Sequence, residues 1–247
     1  MTNRDLSIVV PTLNEQDRIL DALVKLSAWR PREIIVVDNG STDLTVFAVN
    51  RWIRAHVLTC ELRMLELPTP GKGAAVRAGM LAAKSGYIYM ADADLSTPAS
   101  EISHFVLRAV LSNADLVIGN RNHRKMKLQV TQSPGRKLTG SIFHLMTSIL
   151  LPGIHDTQCG FKLFRRAAAR AIFENCQLDG LAFDVEVLLE ARRLGYKIVQ
   201  IPIPWTEDRN SRIHPLRDGI KMARDLISLA RRYRISGLAK ASPSLPL

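Results

Sequence analysis

Hydrophobic positions along this chain gather into short runs, each cut off by a polar or turn-forming residue. Leu6-Ser7-Ile8-Val9-Val10 stops at Pro11, and Ile34-Ile35-Val36-Val37 at Asp38-Asn39-Gly40. Tyr87-Ile88-Tyr89-Met90-Ala91 stops at Asp92, and Leu116-Val117-Ile118 at Gly119. Runs this short and this rich in β-formers predict strands covered on both faces, as in a parallel sheet. Between them apolar residues recur at helical spacing: Ile19, Leu23 and Leu26, then Val76, Met80 and Ala83. The repetition predicts an α/β protein with a doubly wound, mostly parallel sheet and helices on both faces.

Beyond Gly119 the pattern loosens. Asn122 to Lys137 is polar and basic without a period and predicts a loop; Lys137 to Leu151 predicts a helix. Gly160 to Phe164 and Lys197 to Ile203 predict strands, and Asp184 to Leu194 a helix. The last helix, Leu216 to Tyr233, has Leu216, Ile220, Ala223, Ile227 and Ala230 at helical intervals beside Arg217, Lys221, Arg224 and Arg231. That stripe suits either a core-facing helix with a basic edge or a helix lying in an anionic headgroup layer. The reading is one domain over 1–238, comprising a first half (5–120), a second half (121–215) and the basic amphipathic helix (216–235), with a frayed tail at 239–247.

In doubly wound sheets ligands sit at the carboxyl ends of the strands. There this sequence places Asn14-Glu15, Asp38, Asp92-Ala93-Asp94 and Asn120-Arg121. Asp92 and Asp94 stand two apart after a strand, so both carboxylates can face one way. Such a pair is either a solvated turn or a grip for Mg²⁺ or Mn²⁺ shared with substrate phosphates. Gly71-Lys72-Gly73 opens a helix, whose free N–H groups suit an anion as well as a plain cap, with Lys72 and Arg77 as added point charges. Asp38 is placed to accept bonds from a base or ribose, and Asp43 to cap the following helix.

Composition narrows the classes. The 247 residues are 47% hydrophobic and 23% charged, which is globular and excludes wholesale disorder. A net charge of +11 calls for an anionic partner: nucleic acid, an acidic membrane face or a phosphorylated substrate. Aromatics are only 6% and not interleaved with basic residues, which argues against nucleic acid. Cys60, Cys159 and Cys176 fit reduced thiols and a cytoplasmic setting. The N-terminus lacks a signal-peptide shape, and the apolar stretch from Ile142 to Ile154 is broken by Pro152 and Gly153. A bilayer needs about 20 apolar residues, so the expectation is a soluble or peripheral protein.

Taken in order, Ser7 to Glu15, Val37 to Asp43, Gly71-Lys72-Gly73 and Asp92-Ala93-Asp94 resemble family 2 glycosyltransferases of the GT-A fold. Asp156-Thr157-Gln158-Cys159-Gly160-Phe161-Lys162-Leu163-Phe164, Phe183-Asp184-Val185-Glu186 and Trp205-Thr206-Glu207 followed by Ser211-Arg212 resemble the dolichyl-phosphate β-glucosyltransferases within it. Dolichyl-phosphate mannose synthases share the first half more than the second. Two departures stand out: those eukaryotic glucosyltransferases carry an N-terminal membrane anchor, and this chain has Asn210-Ser211-Arg212 where they have Gly-Ser-Lys.

The resemblance implies a nucleotide-sugar donor held by Pro11, Thr12, Leu13, Asn14, Glu15, Asp38, Lys72 and the Asp92-Ala93-Asp94 turn. Asp92 and Asp94 would carry Mg²⁺ or Mn²⁺ on the diphosphate. It implies an inverting transfer of a hexose, glucose from UDP-glucose, to a polyprenyl or dolichyl phosphate. Arg121, Arg136, Gln158, Ser211 and Arg212 would gather that phosphate. A phosphate monoester loses its second proton near pH ~6, so no strong base is needed. Asp92, Asp94, Arg121 and Asp184 form the implied catalytic set, with Asp184 orienting the acceptor pocket or capping its helix. Two other acceptor and donor readings stay open: mannose from GDP-mannose, or a soluble hydroxyl acceptor with Asp184 as base. The expected location is the cytoplasmic face of a membrane, held peripherally against anionic lipid.

Overall fold

A computed structural model describes residues 5–55, 60–68, 70–121, 143–206 and 215–235. Arg136, Ser211, Arg212, the whole of the expected 122–137 loop and the 239–247 tail lie outside the described residues. The first half runs β1 (Leu6–Thr12), α1 (Ile19–Ser27), β2 (Glu33–Asp38), α2 (Thr45–Ala55), β3 (Glu61–Glu66), α3 (Lys72–Ala82), β4 (Tyr87–Met90), α4 (Ile102–Ser112) and β5 (Leu116–Asn120). Then follow α5 (143–150), β6 (Lys162–Arg165), α6 (Arg166–Phe173), α7 (Phe183–Arg193), β7 (Ile198–Pro202) and α8 (Pro215–Ile235).

The seven strands form one sheet in the order β3-β2-β1-β4-β6-β5-β7. β1 pairs in parallel with β2 and β4, β2 with β3, and β5 with β7. β6 alone runs antiparallel, between β4 and β5. The continuous apolar runs are explained by alternation. Val9, Ile35, Val37, Ile88 and Met90 face one core shared with α3, α6, α7 and α8. Ile8, Val10, Ile34, Val36 and Tyr89 face the other, under α1 and α4. The doubly wound, mostly parallel sheet expected from the sequence is therefore present.

β3 was not expected. Its sequence, Glu-Leu-Arg-Met-Leu-Glu, has no apolar run because it is an edge strand, half exposed along its length. Buried Glu33 anchors this edge: it accepts bonds from Ser7 Oγ at 2.7 Å, Lys84 N at 2.7 Å and Arg63 Nη2 at 2.5 Å. Burial alone would raise the Glu33 carboxyl, but these donors hold it below the usual range.

Of the two readings of the α8 stripe, the core-facing one does not hold. Leu226, Leu229 and Tyr233 are the residues buried against the core. Arg232 donates to Glu186 and Tyr233 to Glu190, pinning α8 to α7. The expected stripe points elsewhere: Ile220 is 56% and Ile227 45% exposed. The helix has apolar residues on two sides, and among the described residues only one of them is covered.

Candidate active site

The carboxyl ends of β1, β2, β4 and β5 share one edge of the sheet, since those strands are mutually parallel or linked through β6. Because β6 is antiparallel, its amino end lies on that same edge. The 156–161 segment is thereby delivered beside the Asp92 turn, with Met90 opposite Lys162.

At the β1 and β2 ends, the loops are stapled to each other. Asn14 adopts a left-handed backbone (φ 54°). Its N–H donates to Ser41 Oγ at 2.8 Å, and its side-chain oxygen accepts from Thr42 N at 2.7 Å and Asp43 N at 3.3 Å. Thr12 Oγ1 donates to the Val37 carbonyl at 3.3 Å, and Glu15 pairs with Arg18. Asp43 accepts from Thr45 N at 2.9 Å, a cap on α2. The side-chain oxygen of Asn14 is thus engaged in loop architecture. Asp38 is different: it is buried, its Oδ2 accepts from Gly40 N at 3.1 Å and Ser41 N at 2.9 Å, and its buried Oδ1 has no partner among the described residues. A buried carboxylate oxygen left open at a strand end suits a ligand donor.

Asp92 follows β4. Its Oδ1 meets Lys72 Nζ at 2.7 Å. Its other side rests on Gly160, where an added Cβ would fall 1.7 Å from Oδ2, so only glycine fits. Asp94 is exposed, with Oδ1 accepting from Ser96 N at 3.0 Å. Leu95 between them has a left-handed φ of 44°, a conformation costing about 1–3 kcal/mol that concentrates at functional sites. Burial would raise the Asp92 carboxyl, but Lys72, with Lys162 and Arg121 further off, holds it below the usual range. Burial would likewise lower the Lys72 ammonium, which Asp92, Asp184 and Asp94 hold raised.

Lys72 is presented by the first turn of α3, whose entry is packed tightly. A Cβ on Gly73 would lie 2.3 Å from the Leu178 carbonyl oxygen. Arg77, one turn on, donates to Asp179 Oδ1 at 2.6 Å and braces that contact. Arg77, one of the two point charges weighed for this helix start, thus has a structural role there.

Arg121, after β5, is gripped along one edge by Asp156: Nε to Oδ2 at 2.7 Å, Nη2 to Oδ1 at 2.9 Å, and its backbone N–H to Oδ2 at 3.0 Å. Its guanidinium lies 5.5 Å from the Trp205 ring centroid. Despite burial, Asp156 holds Arg121 above its ordinary pKa. Thr206 N donates to Ser96 O at 2.9 Å, joining the Trp205 segment to the Asp92–Asp94 turn. Gln158 Nε2 is buried without a partner among the described residues, a donor still to be satisfied. Burial pushes the Cys159 thiol up to about 12, so it is no nucleophile.

Asp184, in the first turn of α7, is fully enclosed and bonded to Lys162 Nζ. It does not cap α7; no side chain caps that helix at Ala182. Burial pushes its carboxyl above the usual range against the pull of Lys162 and Lys72. Lys162 and Asp156 carry no assignment in the sequence reading. A lysine inside the apolar run Gly160 to Phe164 was the available signal, because a buried ammonium needs partners.

The donor set fits a divalent ion of the Mg²⁺ or Mn²⁺ kind. No group of three or more His, Cys, Asp or Glu able to hold a metal occurs among the described residues. Two carboxylates on a tight turn instead suit an ion that keeps waters and shares phosphate oxygens. Asp92 Oδ1 already takes one cationic partner, the Lys72 ammonium. His155 is exposed, its backbone N–H given to Gln200.

Comparison with known proteins agrees with this geometry. The family model described as glycosyl transferase family 2 matches residues 7–173. The dolichyl-phosphate β-glucosyltransferase of Dictyostelium discoideum is 34% identical over 92% of this chain and 74% of its own length. That of Saccharomyces cerevisiae is 36% identical over 92% and 75%. Among solved structures, the glucosyl-3-phosphoglycerate synthase of Mycobacterium tuberculosis bound to UDP superposes with a TM-score of 0.68. It is 21% identical and covers 99% of this chain and 83% of its own. The same enzyme with Mn²⁺, UDP-glucose and phosphoglyceric acid also gives 0.68, at 20% identity and the same coverage. These neighbours share the GT-A fold expected from the sequence. The chain belongs to glycosyl transferase family 2 and is a nucleotide-sugar-dependent glycosyltransferase.

Proposed function

We propose that this enzyme transfers glucose from UDP-glucose to the phosphate of a polyprenol such as dolichol, by direct displacement. The acceptor phosphate oxygen bonds to the anomeric carbon from the face opposite the nucleotide. The bond to the UDP oxygen breaks, UDP leaves, and the configuration inverts. The names of the 32–36% identical relatives support both acceptor and sugar.

The observation that carries the acceptor class is the pairing of Asp184 with Lys162. The one carboxylate expected to serve as base for a hydroxyl acceptor is enclosed and held by an ammonium. A phosphate acceptor, already anionic near neutral pH, needs no such base. It needs cations, and Arg121 is held in place by Asp156 to supply one. Asp38 Oδ1 receives a donor of the base or ribose, and Lys72 meets the diphosphate. Asp92 and Asp94 would hold Mg²⁺ or Mn²⁺, which when bound supplies Lewis-acid stabilisation to the departing diphosphate. Arg136, Gln158, Ser211 and Arg212 complete the acceptor set in this reading.

The uncovered stripe of α8, with Leu145 (64% exposed) and Ile149 (66%) on α5, supports peripheral contact with an anionic membrane on its cytoplasmic face. None of the described helices is long and apolar enough to cross a membrane.

A donor and acceptor screen tests this. UDP-glucose or GDP-mannose is offered with dolichyl phosphate or with 3-phosphoglycerate, in Mg²⁺ or Mn²⁺. The expected result is glucosyl lipid from UDP-glucose alone. A preference for GDP-mannose overturns the donor, and transfer to the soluble hydroxyl overturns the acceptor.

A further inference from the structure

Lys162 is 1% exposed, on a strand whose neighbours Phe161, Leu163 and Phe164 are core residues. A buried ammonium carries a heavy desolvation penalty that a methionine or leucine there would not. Stability alone does not explain the choice. Its surroundings do: Nζ donates to Asp184 Oδ1 and to the Cys159 carbonyl. Cys159 is followed by Gly160, the residue on which the Asp92 carboxylate rests. Lys162 also draws down the carboxyls of Asp92 and Asp156 by charge. One ammonium therefore fixes the turn beneath Asp92, orients Asp184, and balances the acids that flank the Arg121 grip.

Resting on the proposed UDP-glucose reading, we infer that Lys162 is a positioning residue for the donor site: through the Cys159–Gly160 turn it sets where Asp92 presents its carboxylate to the divalent ion. Asp92 is thus braced from two sides, by Lys72 directly and by Lys162 through the backbone. Lys162 acts through protein groups, the Asp184 carboxylate and the Cys159 carbonyl.

The test is UDP binding by calorimetry, in Mn²⁺ and in EDTA, which needs no acceptor and no turnover. Supporting residues behind a metal ligand typically contribute 10–100-fold to metal affinity. Lys162→Met is expected to lose about tenfold of the Mn²⁺-dependent gain in UDP affinity, with the affinity in EDTA within about twofold of wild type. If Lys162→Met does not fold, Lys162→Met/Asp184→Asn, which leaves no charge unpaired, is read by the same criterion. An unchanged Mn²⁺-dependent gain in a folded variant overturns the inference. So does an equal loss in Mn²⁺ and EDTA, which marks a merely structural role. Wild type that binds GDP and not UDP would overturn the donor reading instead, and the Lys162 comparison is then read with GDP.

Discussion

Replacing Gly160 with alanine adds one methyl group at the tightest contact in the site. The new Cβ would lie 1.7 Å from Asp92 Oδ2 and 2.3 Å from its Cγ, where real contacts essentially never fall below 3.0 Å. The clash is relieved only if the carboxylate retreats by about 1 Å or the 159–160 backbone yields; a misplacement of that size can cost about 100-fold in rate. Asp92 is tethered on its far side by Lys72 at 2.7 Å, so the retreat also strains that pair. Overpacking of this kind costs about 1–3 kcal/mol in stability. The expected result for Gly160→Ala is a fall of about 100-fold in turnover with a modest drop in Tm, and a Mn²⁺ half-saturation raised about tenfold. Metal titration of turnover, paired with thermal melting, reads all three. Turnover within threefold of wild type at unchanged Mn²⁺ demand would refute the reasoning, because it would mean that the position of Asp92 does not matter.

Asp184→Asn strands the buried Lys162 ammonium, which should destabilise the fold by about 3–5 kcal/mol; phosphate transfer should weaken yet persist at temperatures where the variant is folded, and its abolition would reinstate Asp184 as a base. The Glu33 carboxyl is held below its ordinary value, so its contribution to stability is present above the unfolded pKa near ~4.3 and is lost as pH falls through the folded value. The Tm gap between wild type and Glu33→Gln should therefore be widest at neutral pH and close below about pH 4; a gap that widens on acidification contradicts this. Ile220→Asp/Ile227→Asp, on the uncovered side of α8, should abolish cosedimentation with anionic vesicles while leaving Tm within about 2 °C, since exposed positions contribute little to stability. Unchanged cosedimentation removes α8 from the membrane contact.

Most of the strands that the sequence reveals, β1, β2, β4 and β5 among them, are buried on both faces, where side-chain alternation fills two cores and leaves few polar positions. β3 escapes because an edge strand with one face wet has charged residues at both ends. The antiparallel course of β6 escapes because hydrophobicity carries no direction, yet it is this reversal that brings Gly160 and Lys162 to the site. The α8 stripe stayed open between core and headgroup because Ile220 and Ile227 are as well spaced as Leu226, Leu229 and Tyr233, and spacing alone does not say which stripe meets the core. Polar residues after each strand were visible because nothing in a core explains them. Asp156 was not, since its partner Arg121 is 35 residues away. Asn14, expected as a ligand contact, spends its side-chain oxygen on the Thr42–Asp43 loop, a partnership across 28 residues that the sequence does not show.

In the proposed mechanism Asp92 and Asp94 together grip a divalent ion for the departing diphosphate. Calorimetric titration of Asp92→Asn/Asp94→Asn with UDP, with and without Mn²⁺, tests it most directly. Mn²⁺ should no longer strengthen UDP binding in this variant, while wild type gains at least about tenfold from the metal. Equal metal-dependent gains in the two proteins would contradict it.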